Sequence, residues 1–522
     1  MKPTIFFLIN SIDLIRGGLT RASLKQASFF AELGYETYML TFNFNPRYPI
    51  IRQKLLEMNK IHQNVIIRNM YEELEGYEKP ITCKTPTKKA SLTELSEGLT
   101  MEKRPDHNAY RVFKNGLYIK YISLNNDGSL QFIDYFDENR YRTKRETYDP
   151  WGNLKKIAYM DLPLNKPRQL IYYDTNGKAF LTQWNNPNNG KVQRIWLFDK
   201  NSSIINSYVN DNVTYKVQWL HQTIDRLGGS QSVVISDTRS TDEILINLNH
   251  PKAAKVWRLH SNHLDKPFTV DADIAPKVKL GFNHIDCFDA AVFLTEEQKK
   301  DVIYRVGEKS HLKVVPHYHE LSTGPFQSFI SEKRKDEKLG VIISRLSTLK
   351  RVDHTVRAFK NVVERIPDAK LEIWGVGNQY SSLKKLINQL QLDNNVFLKG
   401  YTHYPDKIYQ KALFSVLTSK SEGFALSVLE SMYHKTPVIS YNIKYGPRDM
   451  IENNINGFIL ENGSIDELSN KMIFMYENPK TAISMGKKAK KYIDKHFNRE
   501  IYKEKWLDTV NLALHNKFKS SR

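Results

Sequence analysis

The sequence predicts an α/β protein made of two doubly wound domains, the first interrupted by an inserted antiparallel β-meander. Three observations carry that reading. From Lys2 to about Met70, apolar strands alternate with helical periodicity. The same alternation returns after Val213 and again from about Leu339. Between Tyr71 and Asn212, strands rich in aromatic residues alternate instead with Asp, Asn and Gly turns. Strand–helix alternation is the mark of a parallel sheet, and turn-punctuated strands are the mark of hairpins.

The elements follow in order. "TIFFLIN" reads as a buried first strand, Thr20 to Leu33 as a helix stopped by Gly34, and "YETYMLTF" and "VIIRN" as further strands. The start is expected to be a strand and not a signal peptide, because Asn10 and Asp13 interrupt its short apolar run. In the middle segment "YFDENRY", "YDPWGNLKKI", "YYDTNGKAFLTQW" and "LFDKNSSII" each place an aromatic, an Asp and a short turn before the next strand. After Val213 a helix ending at Gly228 leads into "SVVIS", "KVWRLH" and "AAVFLT". A loop at 317–336 precedes "LGVIISRL", "AKLEIWGVG", "NVFLKGY", "FSVLTSK" and "TPVISY". The expected domains are therefore 1–70 with 213–318, the insertion 71–212, and 319–500. Residues 501–522 are expected to form a helix packing back on the first domain.

Composition narrows the function. In 522 residues there are two cysteines, Cys83 and Cys287, with no metal-ligand spacing, which suits a reducing cytosol. No apolar run approaches the roughly 20 residues of a membrane span. The net charge of +20 favours an anionic partner: nucleic acid, an acidic lipid surface or a polyanionic substrate. For nucleic acid there is charge alone and no spaced motif.

The chemically interesting residues all follow strands, where doubly wound folds bind ligands. "RGGLTR" puts Gly17 and Gly18 between a strand and a helix, which suits either a close anion approach or an ordinary connection. "SRLSTLKRVDH" puts Arg345 at a strand end and Lys350 at a helix start, which suits a diphosphate or a solvated face. His260 directly follows "KVWRL" and is by itself undecided between structure and chemistry. In "SKSEGFALSVLESMYH" a strand leads through Glu422 and Gly423 to a helix. The backbone N–H groups of Phe424, Ala425 and Leu426 lie at its start, with Glu430 two turns in. Carboxylates accept well from the hydroxyls of a sugar or ribose. "DAD" at Asp271–Asp273 imitates a metal motif but lies in a polar loop.

As a set, Glu422 and Glu430, Arg345 and Lys350, and Gly17 and Gly18 resemble the retaining glycosyltransferases of family four with the two-domain, Rossmann-like GT-B fold. The stretch "GGLTRASLKQASFFAELGYE" and the β-insertion are similar to the wall teichoic acid α-glycosyltransferases of Gram-positive bacteria, especially poly(glycerol-phosphate) α-glucosyltransferases. The resemblance implies that Glu430 holds the ribose of a UDP-sugar and Glu422 the hydroxyls of its sugar. Arg345 and Lys350 would grip the diphosphate, Gly17 and Gly18 would close over it, and His260 would lie near the donor sugar. Gly423, Phe424, Ala425 and Leu426 complete the expected donor contacts, although Ala425 stands where many relatives have glycine.

The resemblance further implies hexose transfer, glucose favoured, to poly(glycerol phosphate) with retention at the anomeric carbon. No metal or other cofactor is expected. A homotrimer formed through the insertion is expected, with the enzyme cytoplasmic or peripheral at the anionic inner membrane face and binding no nucleic acid. The alternatives are an N-acetylglucosamine transferase acting on poly(ribitol phosphate) or on a serine-rich adhesin and, more remotely, a non-enzymatic nucleic-acid-binding protein. Lys144, Arg145, Lys155, Lys156 and Arg168 are expected to track an acceptor phosphate chain along the inserted sheet.

Overall fold

The computed structural model describes residues 2–14, 18–83, 86–319 and 334–519. Gly17 and residues 320–333 of the expected loop fall outside them. The chain divides into two compact units, Met1–Ala254 and Lys255–Arg522. This boundary differs from the expected one at 318/319.

In the first unit, β1 (Thr4–Ile9) is buried along its whole length and pairs in parallel with β2 (Thr37–Thr41). β2 pairs in parallel with β3 (Val65–Asn69). The helix Gly18–Glu32 joins β1 to β2 and ends just before Gly34, whose N–H bonds the carbonyl of Ala31. A continuous apolar run such as "TIFFLI" is what a strand covered on both faces requires.

The insertion is a ten-stranded antiparallel meander in chain order. Its strands are β4 (Thr100–Lys103), β5 (Ala109–Lys114), β6 (Leu117–Leu124), β7 (Leu130–Phe136), β8 (Arg142–Tyr148), β9 (Leu154–Asp161), β10 (Lys166–Tyr173), β11 (Ala179–Asn185), β12 (Val192–Phe198) and β13 (Ile204–Val209). The repeated aspartates are its turn formers. The Oδ1 atoms of Asp137, Asp149, Asp174 and Asp199 each accept two backbone N–H groups, from the residues two and four further on. Each such loop contains a left-handed residue: Arg140, Gly152, Gly177 or Ser202.

The expectation that the sheet's cations track a polymer needs correction. Arg145 grips both oxygens of Asp134 at 2.7 Å and stacks on Phe132, and Lys144 bonds Glu146 at 2.6 Å. Lys155 is buried in an ion pair with Glu75. Lys156 lies over Phe44, and burial pushes its ammonium down to about 8. Of the five, only Arg168 has a largely exposed side chain, 3.7 Å from Asp161. Carboxylates on neighbouring strands (Asp134, Asp161), on the same strand (Glu146) and outside the sheet (Glu75) take up charges that the linear sequence left unpartnered.

After the insertion the helix Thr214–Leu227 leads into β14 (Ser232–Ser236), which pairs in parallel with β1 and completes the order β14-β1-β2-β3. β15 (Ala253–Arg258) straddles the boundary and is followed in the second unit by β16 (Ala290–Phe293) and β17 (Leu312–Val314), all parallel. The final helix, Arg499–Lys519, packs on this part: Lys505 donates to the carbonyl of Val314 and Asn516 to that of Asp289. Fully buried Trp506 lies against the guanidinium of Arg258. These contacts tie 255–314 to the carboxyl-terminal half.

The rest of the second unit is a six-stranded parallel sheet of β18 (Asp336–Ile343), β19 (Lys370–Trp374), β20 (Val396–Gly400), β21 (Ala412–Leu417), β22 (Val438–Tyr441) and β23 (Gly457–Leu460). Its order is β20-β19-β18-β21-β22-β23, the doubly wound arrangement. Among the described residues no helix is long and apolar enough to cross a membrane.

Candidate active site

In a doubly wound sheet the strand order reverses at one place, and a crevice opens there beyond the carboxyl ends of the two strands. Here that place lies between β18 and β21. Arg345 and Lys350 follow β18, and Glu422 follows β21. The topology therefore gathers three of the expected site residues from positions more than seventy apart in the chain.

The two loops are knitted together. Lys350 donates to Glu422, whose same oxygen accepts from Ser419 Oγ at 2.6 Å. Both members of the ion pair are largely shielded, with side-chain exposures of 15% and 14%. Arg351 fixes the strand end: its Nε donates to the carbonyl of Thr418 and its Nη2 to that of Ser419, both at 2.8 Å. Its guanidinium also lies 5.0 Å from the ring centre of Tyr441. Thr418 Oγ1 donates back to the carbonyl of Arg351 at 2.9 Å, and the Lys420 N–H to that of Leu349 at 2.8 Å. Arg345 is exposed at the mouth of this loop pair. Gly375 presses on the same segment: at φ 146°, a Cβ there would fall 1.8 Å from the carbonyl oxygen of Ser344.

Beyond Glu422 the backbone passes very close to the segment after β15. A Cβ on Gly423 would lie 2.0 Å from the carbonyl oxygen of His260, so only glycine fits. His260 is half-buried and its ring stacks on His317, which in turn meets Phe424 edge-on. Ala425 adopts the left-handed conformation (φ 63°) that opens the helix Leu426–Tyr433. A glycine there would carry no such strain, the physical content of the departure seen in the sequence. Leu426 begins the helix two residues later than expected, so half-buried Glu430 sits about one turn in, not two. Gly18 opens the helix Gly18–Glu32 in the other unit.

Several positioning residues gave no signal in the sequence. Asn262 donates to Ser421 Oγ at 2.9 Å and to the carbonyl of Lys444 at 3.3 Å. Backbone bonds join Glu422 to Lys444 and Tyr445. Asp301 accepts from the Tyr445 hydroxyl at 2.6 Å and from Lys444. His263, between the parallel rings of Phe282 and Tyr445, has neither ring nitrogen hydrogen-bonded among the described residues, and burial pushes it down to about 4. "HSNH" marked only its neighbour His260.

The Asp271–Asp273 carboxylates are exposed, and Asp271 accepts from Tyr304 at 3.3 Å. They join no metal-ligating group among the described residues; one such group, His319, Asp406 and His434, is present. The strand ends thus bring together an exposed guanidinium, an ammonium already paired with a carboxylate, and the start of a helix. Cations and helix N–H groups suit a diphosphate, and the carboxylates suit hydroxyls beside it.

Residues 325–492 match the family model described as glycosyl transferases group 1. The chain is 27% identical over 515 residues to the poly(ribitol-phosphate) alpha-N-acetylglucosaminyltransferase of Staphylococcus aureus, covering 97% of this chain and 99% of that protein. It is 28% identical over 526 residues to the poly(glycerol-phosphate) alpha-glucosyltransferase of Bacillus subtilis, covering 98% of this chain and 75% of that protein. Among solved structures, a mutant of S. aureus TarM in complex with fondaparinux, alpha-GlcNAc-glycerol and UDP matches with a TM-score of 0.81 at 25% identity, covering 98% of this chain and all of that one. The pneumococcal O-GlcNAc transferase GtfA, at 19% identity and a TM-score of 0.76 over 98% of this chain and 99% of that one, shares the fold.

Proposed function

We propose that this chain, a group 1 glycosyltransferase with the GT-B fold, moves a hexose from a UDP-sugar to hydroxyls of a poly(alditol phosphate) teichoic acid. The observation that carries the reading is similarity along nearly the whole chain, insertion included, to two enzymes named for such polymers. Glucose on poly(glycerol phosphate) is the first assignment. N-acetylglucosamine on poly(ribitol phosphate) is the second, favoured by the S. aureus enzyme, 99% of which this chain covers.

Arg345 and Lys350 neutralise the diphosphate and stabilise it as it leaves. Glu422 orients the sugar through its hydroxyls and Glu430 holds the ribose. Lys350 and Glu422 compensate each other before the donor arrives; the diphosphate then draws the ammonium away and frees the carboxylate for the sugar. Two fixed cations perform the task a divalent ion performs elsewhere, so transfer proceeds without one, and with retention at the anomeric carbon.

The exposed Ile204, Ile205 and Val209 on edge strand β13 support self-association; the homotrimer proposed for it rests on the resemblance alone. The test is transfer from radiolabelled UDP-glucose and UDP-N-acetylglucosamine to purified poly(glycerol phosphate), poly(ribitol phosphate) and serine-rich peptide. Label in either polymer supports the reading, and the better donor–acceptor pair fixes the assignment. Label confined to the peptide refutes it, and manganese-dependent transfer would move the diphosphate contact to Asp271 and Asp273.

A further inference from the structure

We propose that His319, Asp406 and His434 form a structural zinc site, separate from the sugar-transfer chemistry. The three side chains come from separate segments: the stretch after β17, the helix Pro405–Lys411 and the carboxyl end of the helix Leu426–Tyr433. One ligand atom from each lies within 4.8 Å of the others. Two imidazoles and a carboxylate, with water in the fourth place, form a donor set that zinc accepts.

The His434–Asp406 contact argues for a shared ion over a simple hydrogen bond. His434 Nε2 lies 3.1 Å from Asp406 Oδ1. That nitrogen is nevertheless buried with no hydrogen bond among the described residues, so the carboxylate lies off the ring's donor direction. Neighbouring ligands of one tetrahedral ion have this relation: they aim at a common point, about 3.3 Å apart for bonds of about 2.0 Å. The His319 ligand atom lies within 4.8 Å of the other two, so a shift of at most about 1.5 Å brings it to ligand spacing.

The frame holding these donors is already built. Lys335 Nζ donates to the carbonyls of Tyr409 and His434 at 2.9 and 3.1 Å, tying the Asp406 helix to His434. Thr436 Oγ1 donates to the same Tyr409 carbonyl. The rings are fixed by packing, with His434 stacked on Tyr409 and His319 edge-on to Tyr433. Preorganisation of this kind lets an ion bind without ordering its ligands first. An ion here would pin the far end of the helix that carries Glu430, about 12 Å from its start by helical rise.

The experiment uses the full chain, freed of any affinity tag, loaded with zinc and dialysed against metal-free buffer. Mass spectrometry of the metal should find one zinc per chain in the wild type and less than about a tenth of that in Asp406→Asn and His319→Gln. These two positions are half-buried, so the variants are expected to fold, whereas His434→Ala can fail to. Zinc should raise the melting temperature of the wild type and of neither variant, and magnesium should raise none. Cobalt(II) should give tetrahedral absorption in the wild type alone. Chelation should lower the melting temperature and leave the initial transfer rate unchanged. Wild-type protein holding no stoichiometric zinc, or variants holding as much as the wild type, overturns the proposal.

Discussion

Glu422 and Glu430 stand eight residues apart, one in a loop and one in a helix, and the difference decides what each loss should do. Glu430→Ala is expected mainly to raise the KM for the UDP-sugar, because the proposed ribose contact would be the same in the ground and transition states. Glu422→Ala should also lower kcat if, as proposed, its carboxylate orients the reacting sugar. A lost charge-assisted contact costs about 1.5–3 kcal/mol, roughly ten- to hundredfold. Steady-state kinetics of both variants check this, and wild-type values in either remove that residue's role. His263 offers a second test. Its folded value near 4 lies below the ordinary 6.5, so its contribution is present above 6.5 and is lost as the pH falls toward 4. The shift corresponds to roughly 3 kcal/mol at most. His263→Phe should therefore flatten the decline in denaturant midpoint between pH 6.5 and 4, and an unchanged decline would assign it to other groups. The left-handed Ala425, by contrast, was legible only as a departure from a pattern, since strain belongs to the backbone and not to the residue type.

At the scale of elements, the strands were legible because apolar runs of five or six bounded by turn residues leave few alternatives. The loops between them were not. Arg351 reads in the sequence as one more cation in a basic chain, yet it caps the end of β21 through carbonyls 67 and 68 residues away. Arg351→Ala should leave these carbonyls without their partner at a cost of about 1–3 kcal/mol. Amide exchange at residues 418–422 should accelerate while that of β1 stays unchanged, and the donor KM should rise. Arg351→Lys should not rescue, because a single ammonium cannot reproduce the fork that serves two carbonyls. Equal protection in the variant would show that the remaining cross-loop bonds, Lys350–Glu422, Thr418–Arg351 carbonyl and Lys420–Leu349, fix the loop without the guanidinium. The insertion's cations were misread for the same reason: Asp134 and Glu75 reach Arg145 and Lys155 only once the sheet has formed.

For the whole molecule, the strand β13 is the exposed end of a ten-stranded sheet, and Ile204 and Ile205 on it are 60% and 65% exposed. An uncovered apolar edge invites another chain, and a lysine there blocks pairing. Ile205→Lys should lower the mass seen by light scattering while UDP binding stays as it was. An unchanged mass would place self-association elsewhere. The domain order was legible from the return of strand–helix rhythm after Val213. The docking of the final helix on 255–314 shows only in the folded chain, where Lys505 and Asn516 meet the carbonyls of Val314 and Asp289. The Asp-closed turns of the insertion carry one more consequence. Each of these four turns is closed locally by its own aspartate, so such a hairpin can be gained or lost without disturbing the register of the other strands. With strands about 4.8 Å apart, each such event lengthens or shortens the sheet by about 10 Å. The insertion is thus an adjustable ruler whose reach changes in steps of whole hairpins.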